Sequence, residues 1–208
     1  MELIIVRHGE SEANFENYWT GWLDVDLTET GIEQARLAGR KIKNSGLTID
    51  IAFESVLKRS IKTAETILYE ADAAFVPEYK TWRLNERHYG ALVGKNKDQM
   101  AKEFGAAQVK KWRRDFDEVP PLTVDNHFDR RYDQLDPRLI SKGESLHMTS
   151  QRVIPLWQDQ IAPNLLDHKT VLVCGHGNSL RALVQFLETI PTDQVDQIDI
   201  PNAAPVIY

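Results

Sequence analysis

The sequence predicts a three-layer α/β/α fold, with helices on both faces of a mostly parallel sheet and an inserted cap of helices and loops. Two observations carry that reading. Short, continuous apolar runs alternate with longer segments of helical period, the pattern of strands buried on both faces. Between about residues 80 and 144 the alternation lapses into polar, aromatic-rich, irregular sequence, which reads as an insertion over the core. The 208 residues suit one domain, 1–208, carrying that insertion.

Residues 2–6, ELIIV, are the first buried strand. A helix follows from Thr28 or Thr30, with Glu33 placed to complete a capping box. Ile32, Ala35, Ala38 and Ile42 form its apolar stripe, and Gly46 stops it. DIAFES is a second strand, and VLKRSIKTAETILYEA a helix entered from Ser55. AFVPEY is a weaker third strand. Helices are expected near 96–104 and 107–116, inside the insertion. A long helix spans Ser145 to Leu166, bent at Pro155, where proline removes a backbone donor. TVLVC is another buried strand and NSLRALVQFLETI the helix after it.

The formal net charge of −6 argues against nucleic acid as the main partner, since backbone binding needs a basic footprint. No apolar run approaches the roughly 18 residues of a membrane span, and no secretory signal is visible, so no membrane partner is expected. The single Cys174 cannot form an intrachain disulfide and fits a reducing cytoplasm.

The chemistry concentrates at two strand ends. The first strand runs into VRHGES and the late one into VCGHGNS, each delivering a His-Gly pair. Ligands of open α/β sheets bind at that edge, so His8 and His176 are expected to converge there. A metal site has no support in the pattern: there is no HExxH, no closely spaced His pair and no Cys cluster, and Arg7 beside His8 would repel a cation. Phosphoryl transfer suits the residues better. A neutral imidazole nitrogen can attack phosphorus if its other nitrogen is held by a hydrogen bond. Arginine forks match the equatorial oxygens, and Arg59, in the first turns of a helix, adds to the pull of its amides.

Taken singly, several residues have plainer readings. Arg113 and Arg114 read as a solvated pair on a helix, Tyr89 as packing, and Glu86 as a surface salt-bridge partner. His88, His127, His147 and His168 belong to no constellation and read as structural or exposed.

VRHGES, SVLKRSIKTAETI and GHGNSLRALV together resemble the histidine phosphatase superfamily. TGWLDVDLTETG, LNERHYGALVGKNK and VKKWRRDF narrow the resemblance to the 2,3-bisphosphoglycerate-dependent phosphoglycerate mutases, from the first strand nearly to Tyr208. The resemblance implies a phosphoglycerate mutase-like fold and interconversion of 3- and 2-phosphoglycerate in glycolysis and gluconeogenesis, through phosphohistidine and a 2,3-bisphosphoglycerate intermediate. The bisphosphate would serve as primer, with no metal, and the assembly would be a homo-oligomer, a dimer being favoured. His8 would be the nucleophile, with Arg7, Arg59 and His176 gripping the phosphoryl group and Glu86 as general acid and base. Asn14, Thr20, Gly21, Gly177 and Asn178 would add donors. Arg87, Tyr89, Lys97, Arg113 and Arg114 would hold the substrate's carboxylate and second phosphate.

Two stretches depart from the pattern. VDNHFDRRYDQLDPRLISKGESL looks short for the insertion, and IPNAAPVIY stands where many members have Pro-Thr-Gly and then a tail folding toward the site. The expectation is mutase activity with a raised hydrolytic leak. The alternatives are a phosphomonoesterase of the superfamily and a non-catalytic phosphometabolite-binding protein.

Overall fold

Branched apolar residues at every position from Leu3 to Val6 leave strand β1 (Leu3–Arg7) no solvent face, and both of its sides are buried. The computed structural model describes residues 1–124 and 129–208. Strands β1, β2 (Ile51–Glu54), β3 (Glu78–Lys80) and β4 (Val171–Gly175) run parallel, and β5 (Val206–Ile207) is antiparallel at one edge. Their order is β3-β2-β4-β1-β5.

The period-two alternation of the strands sorts the core into two layers. Leu3, Ile5, Ile51, Phe53, Val171 and Val173 pack on Leu156, Leu180 and Leu183. These come from helices α6 (Leu146–Leu156) and α8 (Gly177–Leu187). Ile4, Val6, Ala52 and Leu172 pack instead on Ala38, Ile42, Ile67 and Leu68. That second layer is α2 (Glu29–Asn44) and α3 (Lys58–Glu70), while α1 (Glu12–Phe15) is a single turn after β1. Each such aliphatic side chain, fully buried, contributes roughly 1.5–3 kcal/mol. Cys174 lies in this layer, and burial pushes its thiol up to about 12, which makes it unreactive.

Between β3 and α6 the chain forms short turns and two helices, α4 (Lys97–Phe104) and α5 (Ala106–Arg114). Trp19, Tyr89, Leu92, Met100, Val109 and Trp112 give this region its own apolar cluster. The cluster fixes which faces of α4 and α5 turn toward Trp19 and Tyr89.

Local expectations shift in five places. The cap of α2 is Thr28, whose hydroxyl accepts from Gly31 N; Glu33 makes no reciprocal cap and pairs with Arg40 at 2.6 Å. Helix α3 starts at Lys58 without a side-chain cap, because its cap residue is the apolar Leu57 and not Ser55. The third strand begins only at Glu78, since Pro77 has no N–H for the ladder. After Pro155 the long helix widens into one π turn, Trp157–Ile161, before closing as α7 (Ala162–Leu166). The edge strand β5, too short and preceded by Pro205, carries no periodic signal. His127 lies outside the described residues.

Candidate active site

Strands β1 and β4 are neighbours with Arg7 paired to Gly175, so the next residue of each, His8 and His176, leaves the sheet at the same level. Their rings stand 4.9 Å apart between centroids. Gly9 follows because the turn presses on α2: a β-carbon there would collide with the backbone of Gly31.

His8 is buried and its Nδ1 lies 2.7 Å from Gly9 O. A carbonyl only accepts, so Nδ1 carries the proton and Nε2 keeps its lone pair. Burial, then the charges of Arg59 and Arg7, hold the His8 imidazole well below its ordinary range, so it is neutral at pH 7. His176 is lowered likewise, by burial first and then by Arg59 and His8. Its Nε2 is 2.7 Å from Ser55 Oγ; the hydroxyl accepts from Leu57 N at 3.2 Å and has its own proton to donate to Nε2, which leaves the ring's proton on Nδ1. Ser55 thus ties the start of α3 to the imidazole.

Arg59, in the first turn of α3, donates to Leu23 O at 2.7 Å and Gly21 O at 2.9 Å. Burial lowers it to about 10, so it remains charged at neutral pH. Arg7 donates from Nη1 to Ile200 O at 3.1 Å. Arg7 Nε, Arg59 Nε and His176 Nδ1 are buried without a hydrogen-bond partner. An unmatched buried donor costs about 1–3 kcal/mol. Here the unmatched atoms belong to the three residues that surround His8, an arrangement suited to a tetrahedral oxyanion.

Glu86 faces this group. Its Oε1 accepts from Arg87 N at 2.8 Å and from Asn178 N and Nδ2, each at 3.1 Å. The Asn178 amide belongs to the first turn of α8, whose N-terminus favours an anion. Oε2 is left toward Gly177 and Arg7: a β-carbon at Gly177 would lie 3.8 Å from each.

The cavity above is about 660 Å³ including its mouth. Arg7, His8, Asn14, Thr20, Gly21, Arg59, Glu86, Tyr89, Lys97, Arg113, Arg114, Gly177 and Asn178 all line it. Asn14 Oδ1 serves the cap of α1, leaving Nδ2 as its remaining donor. Tyr89 packs on Trp19, and its hydroxyl accepts from Asn178 Nδ2 at 2.6 Å. Burial and the repulsion of Arg113 and Arg7 lower Lys97 to about 8. Six cationic side chains therefore confront two acidic ones, Glu86 and Asp199, because Arg181 joins five of the six cations expected.

Two expected residues stand outside the lining. His176 is fully buried beside His8, its ring centroid 4.9 Å away. The Arg87 guanidinium does not reach the cavity: it donates to Glu144 O and Glu118 O, both at 2.6 Å, and only its backbone N–H serves the site. Among the described residues, no cluster of three or more His, Cys, Asp or Glu side chains is placed to hold a metal ion.

A family model, the histidine phosphatase superfamily (branch 1), matches residues 3–208. The chain belongs to the histidine phosphatase superfamily. Its relatives include the 2,3-bisphosphoglycerate-dependent phosphoglycerate mutase 2 of Lactiplantibacillus plantarum, 50% identical over all of this chain and 92% of that protein. The phosphoglycerate mutase of the same dependence from Neisseria meningitidis is also 50% identical, over all of this chain and 94% of that one. A mycobacterial glucosyl-3-phosphoglycerate phosphatase has the same fold: TM-score 0.77 at 23% identity, covering 99% of this chain and 91% of that one.

Sequence reasoning missed Ser55, Arg181 and Asp199. Arg181 had a signal, because four residues after Gly177 it shares that residue's helix face. It donates to Asn178 Oδ1 at 2.6 Å and Ile198 O at 3.1 Å. Asp199 had none, since only the path of the chain after α8 brings it to the cavity.

Proposed function

We propose that this cavity interconverts 3-phosphoglycerate and 2-phosphoglycerate, with His8 Nε2 carrying the phosphoryl group and 2,3-bisphosphoglycerate as primer and intermediate. The observation that carries the reading is the buried, neutral His8, its Nδ1–H spent on Gly9 O and three unmatched polar atoms around it. Relatives named for this activity, half identical over the whole chain, support the choice of substrate.

In the forward half-reaction the substrate's 2-hydroxyl oxygen attacks phosphorus, the bond to His8 Nε2 breaks, and Glu86 Oε2 takes the hydroxyl proton. The bisphosphate then turns in the pocket. His8 Nε2 attacks its other phosphorus, the ester oxygen leaves, and Glu86 returns the proton to it. Arg7, Arg59 and His176 stabilise charge on the equatorial oxygens in both directions. One such donor is typically worth about 10²–10³ in rate, so several must act together. Lys97, Arg113 and Arg114 hold the end of the substrate that is not reacting, and the same side chains serve either phosphate after it turns.

A coupled assay on 3-phosphoglycerate, with and without added 2,3-bisphosphoglycerate, tests the reading. Primer-dependent isomerisation, together with acid-labile label that disappears in His8→Ala, is expected. Phosphate release without isomerisation would replace the mutase reading by a phosphatase one.

A further inference from the structure

Glu86 sits in an irregular segment, between the short turns Trp82–Leu84 and Gly90–Leu92, where no strand or helix ladder fixes the backbone. Two side chains from elsewhere do that instead. We propose that Arg152 and Trp22 are positioning residues for Glu86, clamping its carbonyl so that its carboxylate meets the substrate's oxygen. The inference rests on Glu86 being the general acid and base.

The carbonyl of Glu86 accepts from Trp22 Nε1 at 2.6 Å and from Arg152 Nη2 at 3.0 Å. Arg152 also donates through Nη1 to Arg83 O at 2.7 Å and Asn85 O at 2.9 Å. Its Nε and Nη2 grip the two carboxylate oxygens of Glu144 at 2.8 and 2.9 Å. All five N–H groups of the guanidinium are thereby used, three of them on the backbone that carries the acid. Glu144 closes the loop, since its Oε2 accepts from His88 N at 2.7 Å. The guanidinium also lies over the rings of Trp22 and Trp82, at 5.7 and 6.0 Å.

Both members of the ion pair are buried. Burial alone would push the Glu144 carboxyl up; the charge and hydrogen bonds of Arg152 outweigh it and hold the group below its ordinary range. A buried pair is weak evidence for stability, because desolvation cancels much of the attraction. Its geometry is informative here: a planar fork fixes several carbonyls at once, as an ammonium cannot. Neither Arg152 nor Trp22 lines the cavity. They act on chemistry only through Glu86.

The test separates positioning from simple structural support by varying the leaving group. An alkoxide leaving from phosphorus needs a proton from Glu86, whereas 4-nitrophenolate does not. Trp22→Phe removes the donor and keeps an aromatic ring; Arg152→Lys keeps the charge and loses the fork. For each, and for Glu86→Gln, we would measure isomerisation of 3-phosphoglycerate and the first-turnover burst from 4-nitrophenyl phosphate. General acid catalysis is typically worth about 10²–10⁴. Trp22→Phe should lose about tenfold and Arg152→Lys about 10²-fold of isomerisation, each with the burst within about twofold of wild type. If Glu86→Gln shows this split and the other two lose both activities equally, or neither, positioning is overturned while the acid stands. If Glu86→Gln shows no split, the acid assignment fails and the positioning role with it. Should Arg152→Lys not fold, Trp22→Phe decides alone.

Discussion

Replacing Glu54 with Gln should stabilise this protein, and increasingly so as the pH rises. Glu54 ends β2 with its side chain fully buried, on the face packed against α3. Lys80 Nζ stands 3.1 Å from its Oε1. Burial pushes its carboxyl from the ordinary 4.5 up to about 7 against the pull of Lys80, and Glu78 and Glu65 add to the rise. The folded value lies above the unfolded one, so the side chain costs nothing below about pH 4.5 and its full penalty is reached as the pH passes about 7. The rise amounts to about 3 kcal/mol, of which roughly 1 is already present at pH 5.5. Glutamine has nearly the same shape and no charge to desolvate. Urea unfolding of both proteins at pH 5.5 and pH 8 should show the variant gaining about 2 kcal/mol on wild type between the two. The buried His8 and His176 destabilise at low pH, below about 6.5, but identically in both proteins, and cancel in the difference. Parallel stability curves would mean that Glu54 is either solvated or neutralised by Lys80, and the reasoning would fail.

Lys97, lowered to about 8, should lose its charge as the pH rises through that value, so kcat/KM for phosphoglycerate should fall above about pH 8. Lys97→Arg, always charged, should shift that limb upward; an unmoved profile assigns it to another group. Asp199 stands 3.9 Å from Arg114 Nη2, with its side chain 73% exposed, and competes with the substrate's anionic end. An exposed pair is worth about 0.2–1 kcal/mol, so Asp199→Asn should lower KM by at most about fivefold, and less at high salt; a raised KM would contradict this. Changing Arg113 and Arg114 together to Ala removes two planar forks and should cost about 10²-fold or more in kcat/KM for phosphoglycerate. The 4-nitrophenyl phosphate burst should change far less, and equal losses on both substrates would move the two arginines to the phosphoryl end.

The sheet was legible because its central strands have no polar face: Leu3–Val6 and Val171–Cys174 read as buried runs, and they are the central pair. His8 and His176 were legible for the same reason, as polar residues closing apolar strands. Glu86 was visible only through resemblance, because what makes it more than a loop acid is a guanidinium 66 positions away in sequence. Arg87 was misplaced by proximity to Glu86: its guanidinium turns away from the cavity into the carbonyls of Glu118 and Glu144. Ser55 was read as a helix entry on residue type, and only the arrival of β4 beside β2 shows that its hydroxyl serves His176. Thr28 prevailed over Thr30 as a cap because Gly31, three residues on, offers its N–H to the Thr28 hydroxyl.

The strand order has a consequence for how the chain is made. β1 leaves the ribosome before the other strands described, yet its sheet neighbours are β4 and β5, which begin at residues 171 and 206. At about 5–20 residues per second, it waits roughly ten to thirty seconds with both edges unpaired. β2 acquires β3 early on one side, but its other edge also waits for β4. A single late strand thus closes the sheet and, in the same event, brings His176 beside His8. Stalled or truncated chains that end before it have no phosphoryl site and expose an adhesive, unpaired strand. Such chains are natural clients for chaperones, and activity reports that synthesis has passed β4.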